Sequence, residues 1–266
     1  MYDASGGAVV GWRAYSLHND AQRRSPFIIT CEHARNHVPE PWRWPSDDAH
    51  WLETHWGYDI GIADVALALL PALDSAAVFA EFSRLLCDPN RPWDHQTAIR
   101  RDVEGGHTLA LNARIDEAEQ ARRRQLLYDA YHAAVDEVIA RRVALAPAAA
   151  RDELWLLSLH SYTADYLGER RDYDCGVLFD DYEDEAARLG ELLARQGFDV
   201  RLNEPYSGKD GLVYSIQRHG LQHDLRYIEI ELRQDTIDTP DKAASVASRM
   251  LPALSTFARL TSASAR

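Results

Sequence analysis

The stretch Arg226-Tyr-Ile-Glu-Ile-Glu-Leu-Arg-Gln-Asp235 combines the alternating pattern of a β-strand with two acidic side chains. Because successive side chains of a strand point to opposite faces, Ile228 and Ile230 share one face, and Glu229 and Glu231 share the other. A solvated sheet face would explain the two glutamates. The alternative is a buried strand whose carboxylates belong to a functional site, and the residues that end other apolar runs favour this second interpretation.

Apolar runs and helical patterns alternate along the rest of the chain. Strands are predicted at 27–31, 76–82, 153–159, 175–179 and 198–202, and helices at 57–70, 115–145, 183–196, 210–219 and from about 241 onward. This alternation predicts a three-layer α/β/α fold, in which helices cover both faces of a mostly parallel mixed sheet. Since no repeat, low-complexity tract or linker interrupts the pattern, residues 1–266 are expected to form a single α/β domain.

The composition is that of an acidic globular protein. Hydrophobic residues make up 46% of the chain, and the formal net charge is −13. Such a charge is unsuited to binding a phosphate backbone, so no nucleic-acid partner is expected. No run approaches the roughly 20 apolar residues of a membrane span, so no membrane partner is expected either. The sparse cysteines and the lack of a signal-peptide pattern at the start of the chain predict a cytoplasmic protein.

Two histidines stand at the ends of apolar runs. His33 follows the run at 27–31, directly after Glu32, and His160 follows the run at 153–159. The carboxyl ends of parallel strands form the ligand-binding edge of an α/β sheet, and zinc takes nitrogen and oxygen ligands while keeping one position open. The pair therefore predicts a zinc site. The alternative is that His33 caps a loop and that His160 is a core histidine bonded to the backbone.

Two residues are candidates for an acidic metal ligand. Glu32 precedes His33. Asp59 lies four residues after His55, so that both would share one face if a helix began early. Asp59 is then a third metal ligand, a partner that orients a ligand histidine, or an acidic residue at a helix N-terminus with no catalytic part.

An anionic substrate would require local cations in so acidic a protein. The candidates are Arg84 and the arginine of Asp88-Pro-Asn-Arg91, because a guanidinium matches a carboxylate bidentately and prolines fix this loop. The alternative for Arg91 is an ordinary ion pair with Asp88 or Asp94.

Two further segments allow more than one interpretation. The glycine-containing loop Tyr206-Ser-Gly-Lys-Asp-Gly211 is either a surface turn or a cover over the site, and in the second case Tyr206, Ser207 and Gly208 would bind substrate. Cys31, close to His33, could be a nucleophile. Since no known nucleophile motif surrounds it, a role as a small buried hydrophobic residue is expected.

Taken together, these motifs resemble the N-formylglutamate amidohydrolase family. They run in the family's order from about residue 27 to 236, and jointly they are specific although each alone is weak. The matching pieces are Cys31-Glu-His33 with Asn36 and Pro39, His55-Trp-Gly-Tyr-Asp59, Asp88-Pro-Asn-Arg-Pro92, Leu159-His-Ser-Tyr-Thr163, Pro205-Tyr-Ser-Gly208 and Glu229-Ile-Glu-Leu-Arg-Gln-Asp235.

The resemblance extends more distantly to zinc carboxypeptidases and aspartoacylase-type deacylases, and it implies a zinc-exopeptidase-like fold. It implies that Glu231 is the catalytic glutamate and that Arg84 assists the oxyanion. It also implies that Asn90 and Arg91 bind a substrate carboxylate. The wider group places a glutamate three residues after the first histidine ligand, where this chain has Asn36. The acidic ligand is therefore expected elsewhere, and the choice between the two candidates stays open.

The resemblance further implies an enzyme that hydrolyses a linear amide with one Zn²⁺ per chain. The expected substrate is a small anionic N-acyl amino acid such as N-formylglutamate, which would give formate and glutamate. Zinc would be held by His33, His160 and one carboxylate, with Glu231 as the general base. Two alternatives remain, a zinc carboxypeptidase-like peptidase and a metal-free ligand-binding protein on the same scaffold.

Overall fold

The computed structural model describes residues 12–19 and 25–264 of the chain. The start of the chain, on which the expectation about a signal peptide rests, lies outside the described residues. The strands are β1 (Tyr15–His18), β2 (Phe27–Cys31), β3 (Ala76–Ala80), β4 (Trp155–Tyr162), β5 (Asp165–Tyr166), β6 (Glu169–Arg170), β7 (Cys175–Leu178), β8 (Val200–Leu202) and β9 (Arg226–Arg233).

The helices follow the predicted alternation with the strands. They are α1 (Ala49–Leu52), α2 (Ile62–Leu73), α3 (Glu117–Arg123), α4 (Asp129–Leu145), α5 (Glu183–Ala194), α6 (Tyr214–His223) and α7 (Pro240–Ser264). A π-helical segment, Arg124–Tyr128, joins α3 to α4, so the long helix predicted over 115–145 is confirmed apart from this local widening. Among the described helices, none combines the length and the apolar character that a membrane crossing needs.

The central sheet has seven strands in the order β1-β3-β2-β4-β9-β7-β8, and β5 and β6 form a separate hairpin. Strand β2 pairs in parallel with β3 and β4, β4 with β9, and β7 with β8. The pairings of β1 with β3 and of β7 with β9 are antiparallel. The predicted mostly parallel mixed sheet is therefore confirmed.

Apolar side chains cover both faces of this sheet. On one face, residues of α2, α5 and α7 pack against side chains such as Ile29. On the other face, residues of α4 and α6 pack against side chains such as Ile28. Neighbouring residues of one strand thus enter opposite cores, as the pleat of a strand requires. The three-layer α/β/α architecture predicted from the sequence is confirmed.

Strand β9 lies between β4 and β7, in the interior of the sheet. Glu229 and Glu231 expose only 1% and 4% of their surface. The solvated-face explanation for these glutamates is therefore wrong, because helices cover the face on which they lie. Charged side chains are rarely buried unless they are paired or bind a ligand, so this burial indicates a functional site.

Among the element boundaries that differ from the prediction, two follow from contacts with distant parts of the chain. Strand β4 continues through Tyr162, because its pairing with β9 extends three residues further than the apolar run. His160 therefore lies inside the strand. Helix α2 begins only at Ile62, after Gly61 with a φ of +80°. A Cβ at Gly61 would lie 2.1 Å from the carbonyl oxygen of Ile237, so the chain turns there at close approach to another backbone.

Candidate metal centre

Two histidines and an aspartate meet at the carboxyl ends of β2 and β4. The Nδ1 atoms of His33 and His160 lie 3.1 Å apart. Asp59 places its Oδ2 atom 2.9 Å from Nδ1 of His160 and 3.4 Å from Nδ1 of His33. All three residues are buried. Together they form a group that could hold a metal ion.

The spacing of these three atoms suits a tetrahedral cation. Zinc bonds of about 2.0–2.1 Å, at tetrahedral angles, separate ligand atoms by about 3.3 Å. The three observed separations, 2.9, 3.1 and 3.4 Å, lie on both sides of this value. Two imidazole nitrogens and a carboxylate oxygen are also the donor atoms that zinc accepts in hydrolases. The residues present therefore fit a zinc ion with an open fourth position.

Asp59 does not reach the centre through helical spacing with His55. The segment between α1 and α2 forms turns, so the condition for that spacing, a helix that begins before Asp59, is not met. Instead, the backbone N–H of Asp59 donates to the carbonyl of His33 at 3.0 Å. The backbone N–H of Ser161 also donates to Asp59 Oδ2 at 3.1 Å. These bonds fix the carboxylate between the two strand ends.

The far nitrogen of each histidine contacts a carboxylate. His33 Nε2 lies 2.7 Å from Asp88 Oδ1, and His160 Nε2 lies 3.1 Å from Glu32 Oε2. A metal-binding histidine usually donates its second N–H to such an acceptor, which fixes the tautomer and the ring orientation. Both histidines thus have the outer partners of a metal site. One of these partners is Asp88, which the sequence suggested only as part of an arginine-containing loop.

Glu32 is held away from the three converging atoms. Its carboxylate accepts hydrogen bonds from Ser158 Oγ at 2.7 Å and from the Tyr131 hydroxyl at 3.1 Å. Burial opposes the ionisation of Glu32, but the hydrogen bonds from His160 and Ser158 outweigh burial and lower its pKa. Glu32 is therefore an anion fixed on the outer side of His160, and the structure does not bring it into the group around His33.

Burial disfavours the charged forms of Asp59 and His160, but their neighbours have a larger and opposite effect on both pKa values. The electrostatic interaction with His33 and the hydrogen bond from His160 lower the pKa of Asp59. The charge of Glu229 and the hydrogen bonds to Asp59 and Glu32 raise the pKa of His160 well above its usual value. Without a bound metal, the surrounding carboxylates therefore favour the protonated form of His160. A bound cation would take over the positive charge of this imidazolium.

A cavity of about 140 Å³ opens onto this centre. His33, Asp59 and His160 line its base, together with Glu229 and Glu231. One carboxylate oxygen of each glutamate is buried and has no hydrogen-bond partner among the described residues. Burial raises the pKa of Glu231 well above its usual value and raises the pKa of Glu229 to about 7. Glu229 is therefore poised to exchange protons near neutral pH, and Glu231 holds a proton more readily than an exposed glutamate does.

Arginines form a positive wall of the same cavity. They are Arg84, Arg91 and Arg100. Arg84 contacts Asp88 Oδ2 at 2.5 Å through Nη2 and lies 3.5 Å from Asp59 Oδ1 through Nη1, so it is anchored beside the metal group. Arg91 donates from Nη1 to the carbonyl of Asn90 at 2.8 Å, which holds its guanidinium at the cavity. One side of the cavity is therefore lined by cationic side chains, although the protein as a whole is acidic.

Asn90 connects the cavity to the surrounding elements. Its Oδ1 accepts from the backbone N–H of Ser215, at the start of α6, at 2.9 Å. Its Nδ2 lies 3.5 Å from His160 Nε2. Asn90 is buried, and it also lines the cavity. Asn90 therefore lies at the cavity, but its side-chain carbonyl oxygen already accepts a hydrogen bond from the backbone of α6.

The loop after β8 contributes one of its three predicted residues to the cavity wall. Tyr206 lines the cavity, whereas Ser207 and Gly208 are not among the described residues that do so. A Cβ at Gly208 would lie 2.3 Å from the backbone of Phe179. Gly208 therefore serves the close packing of the loop against the end of β7, and this packing holds Tyr206 in place.

Arg100 and Tyr166 also line the cavity, although no sequence pattern pointed to them. Arg100 stacks on Trp56 at 4.8 Å, and Tyr166 lies in the β5–β6 hairpin. Neither stands at the end of an apolar run, so strand patterns could not reveal them. Cys31 behaves as expected, since it is fully buried in the core and burial raises the pKa of its thiol, which disfavours the nucleophilic thiolate.

One protein-family model covers the residues of this centre. A family model described as N-formylglutamate amidohydrolase matches residues 25–237, a range that contains every residue of the centre and of the cavity wall. The chain belongs to the N-formylglutamate amidohydrolase family. The resemblance stated from the sequence motifs is therefore confirmed, and with it the assignment of this family member as an amide hydrolase.

Solved structures agree with this N-formylglutamate amidohydrolase assignment at the level of fold. The gene product Atu2144 of Agrobacterium tumefaciens is similar with a TM-score of 0.80 and 28% identity, over 92% of this chain and 95% of that one. The N-formylglutamate amidohydrolase of Ralstonia eutropha JMP134 is similar with a TM-score of 0.74 and 17% identity, over 94% of this chain and 99% of that one. A search of curated proteins found no match.

Proposed function

We propose that this protein is a zinc-dependent hydrolase that removes the N-formyl group, or another short N-acyl group, from an acidic amino acid. With N-formylglutamate as substrate the products are formate and glutamate. The observation that supports this most directly is the cavity, which is lined both by ligand atoms spaced to hold a zinc ion and by arginines. A cation binding site next to an anion binding site is what the hydrolysis of an anionic N-acyl amino acid requires.

We assign the metal ligands to His33, His160 and Asp59, with one Zn²⁺ per chain. The assignment rests on the three short separations between their ligand atoms. Glu32 and Asp88 orient the two histidines from outside. When bound, the zinc ion supplies Lewis-acid polarisation and lowers the pKa of a water molecule towards ~7.

Glu231 is the proposed proton carrier of the reaction. It is paired in register with His160 on the adjacent strand, so its carboxylate emerges on the same face beside the metal ligands. Its unpartnered oxygen accepts a proton from the attacking water and then delivers it to the leaving amine. The raised pKa makes Glu231 a stronger base than an exposed glutamate and allows it to hold the proton between the two steps.

The arginines have separate parts in this proposal. Arg84, beside the metal group, stabilises the negative charge that develops on the carbonyl oxygen, where the loss of one donor typically costs ~10²–10³ in rate. Arg91 binds a carboxylate of the amino acid with its planar fork. Asn90 ties this loop to α6 through its side-chain carbonyl oxygen, which leaves only its side-chain N–H groups, at the cavity wall, to donate to the substrate. Tyr206 closes the cavity from the loop after β8.

The decisive experiment measures formate release from a series of N-formyl amino acids with purified, zinc-loaded protein. N-formylglutamate and N-formylaspartate should be cleaved faster than N-formylglutamine and N-formylasparagine, which have the same shapes without the second charge. Removal of zinc with a chelator should abolish release, and re-addition should restore it. Equal rates on the acidic and amide substrates would contradict the proposed anion site, and activity of the metal-free protein would contradict the metal centre.

A further inference from the structure

A second group of metal-ligating side chains lies between α4 and α6, apart from the cavity. It consists of Asp136 on α4 and of His219 and His223, which are one helical turn apart on α6. Residues four apart on a helix project from the same face, so both imidazoles reach the same partner. Asp136 Oδ1 lies 2.7 Å from His219 Nδ1 and 2.9 Å from His223 Nε2.

The three ligand atoms converge from two different helices. They all lie within 4.8 Å of one another. The present separations from the aspartate oxygen are a few tenths of an ångström below the roughly 3.3 Å between tetrahedral zinc ligands. His223 and Asp136 have side chains that are 18% and 24% exposed, so the group is open to solvent on one side. A small outward shift of these two side chains would admit an ion and leave room for water as a fourth ligand.

His219 also has the outer partner of a metal-binding histidine. Its Nε2 lies 2.8 Å from Nδ1 of His132, which is buried. A cation at Nδ1 of His219 would fix the proton on Nε2, which then donates to His132.

Arg218 is a cation close to this cluster that an incoming metal would meet. Its Nη2 lies 3.9 Å from the other oxygen of Asp136, Oδ2, and its Nη1 lies 3.4 Å from His219 Nε2. The guanidinium therefore binds the outer edge of the carboxylate and leaves Oδ1 to the histidines. The alternative to a metal site is a hydrogen-bonded Asp–His–His cluster, in which a protonated histidine donates to Oδ1.

We propose that Asp136, His219 and His223 bind a second divalent metal ion, of the kind that prefers nitrogen and oxygen ligands, such as zinc. The ion would tie α4 to α6. Both helices hold parts of the first centre, since Tyr131 of α4 donates to Glu32 and Ser215 of α6 donates to Asn90. The second ion is therefore structural, and it stabilises the pair of helices behind the cavity.

The test is the zinc stoichiometry of the full-length protein, measured by equilibrium dialysis against buffered free Zn²⁺. Wild-type protein should bind two ions per chain, and Asp136→Asn and His223→Gln should each bind one tightly, with the second site weakened more than about 10-fold. His50→Ala, which removes an exposed imidazole outside both groups, is the matched control and should bind two. Thermal unfolding should show a zinc-dependent rise in Tm that is smaller in His223→Gln than in His50→Ala.

A His160→Asn variant separates this proposal from the proposed function. It should lose the first ion and keep the second, and the remaining ion should disappear in the double variant with His223→Gln. If wild type and His223→Gln bind the same number of ions with the same affinity, the second site is refuted while the first centre stands. If the only ion is lost in His223→Gln and retained in His160→Asn, the second site stands and the assignment of the first centre fails.

Discussion

The carboxylate of Glu32 lies 3.1 Å from Nε2 of His160, on the ring edge opposite to the Nδ1 atom that faces Asp59. One imidazole thus separates the two acidic residues between which the sequence leaves a choice. A metal ion on the Nδ1 side would contact Asp59 and could not contact Glu32 at the same time. The two carboxylates should therefore respond differently to the loss of their charge.

Asp59→Asn should abolish tight zinc binding, whereas Glu32→Gln should weaken it by about 10–100-fold, the usual effect of removing an outer partner. Zinc affinity measured by competition with a chromophoric chelator distinguishes the two. Asp64→Asn, on the exposed side of α2, is a suitable control and should bind zinc like wild type. Tight binding in Asp59→Asn together with its loss in Glu32→Gln would reverse the assignment.

Glu231→Gln should retain zinc and lose activity. Glutamine keeps the shape of the side chain but cannot accept and return a proton, so kcat should fall by ~10²–10⁴ with zinc content unchanged. Steady-state kinetics and metal analysis of the same preparation provide the two readouts. Near-normal kcat in this variant, with a loss in Glu229→Gln, would move the proton carrier to Glu229.

Arg91→Lys should raise KM for dicarboxylic substrates with a smaller effect on kcat. Lysine keeps the positive charge but cannot provide the planar fork that binds a carboxylate through two hydrogen bonds. Arg101→Lys, at an exposed position nearby, is the matched control. An unchanged KM would show that Arg91 serves the fold of its loop through its bond to Asn90.

Zinc binding should release protons and strengthen as the pH rises through the neutral range. The surrounding carboxylates raise the pKa of His160, so the metal-free protein holds a proton there that the ion must displace. Since protonated His160 competes with zinc, affinity is lowest at low pH. Isothermal titration calorimetry in buffers of different ionisation enthalpy counts the released protons. Proton-neutral binding at pH 7 would contradict the assignment of His160 as a ligand.

The strands and much of the centre could be predicted from local sequence. The apolar run at 27–31 is strand β2 as predicted. Buried strands leave a period and a composition that can be recognised without knowledge of the fold. Since parallel strands end at the same edge of a sheet, the positions of His33 and His160 in the sequence were enough to expect them close together. Strand β1 was missed, because it is short, half-exposed and without an apolar run.

The sequence by itself determined most of the elements and the residue types that stand at their ends, because these depend on the pattern of neighbouring side chains. Only the tertiary structure decided that Asp59 faces His160 from one side and Glu32 from the other, and that Asp88 supports His33. These relations depend on the directions in which turns leave the strands and on backbone contacts such as that between Asp59 and His33. Contacts between residues far apart in the chain have no local pattern, so they appear only when the sheet has assembled.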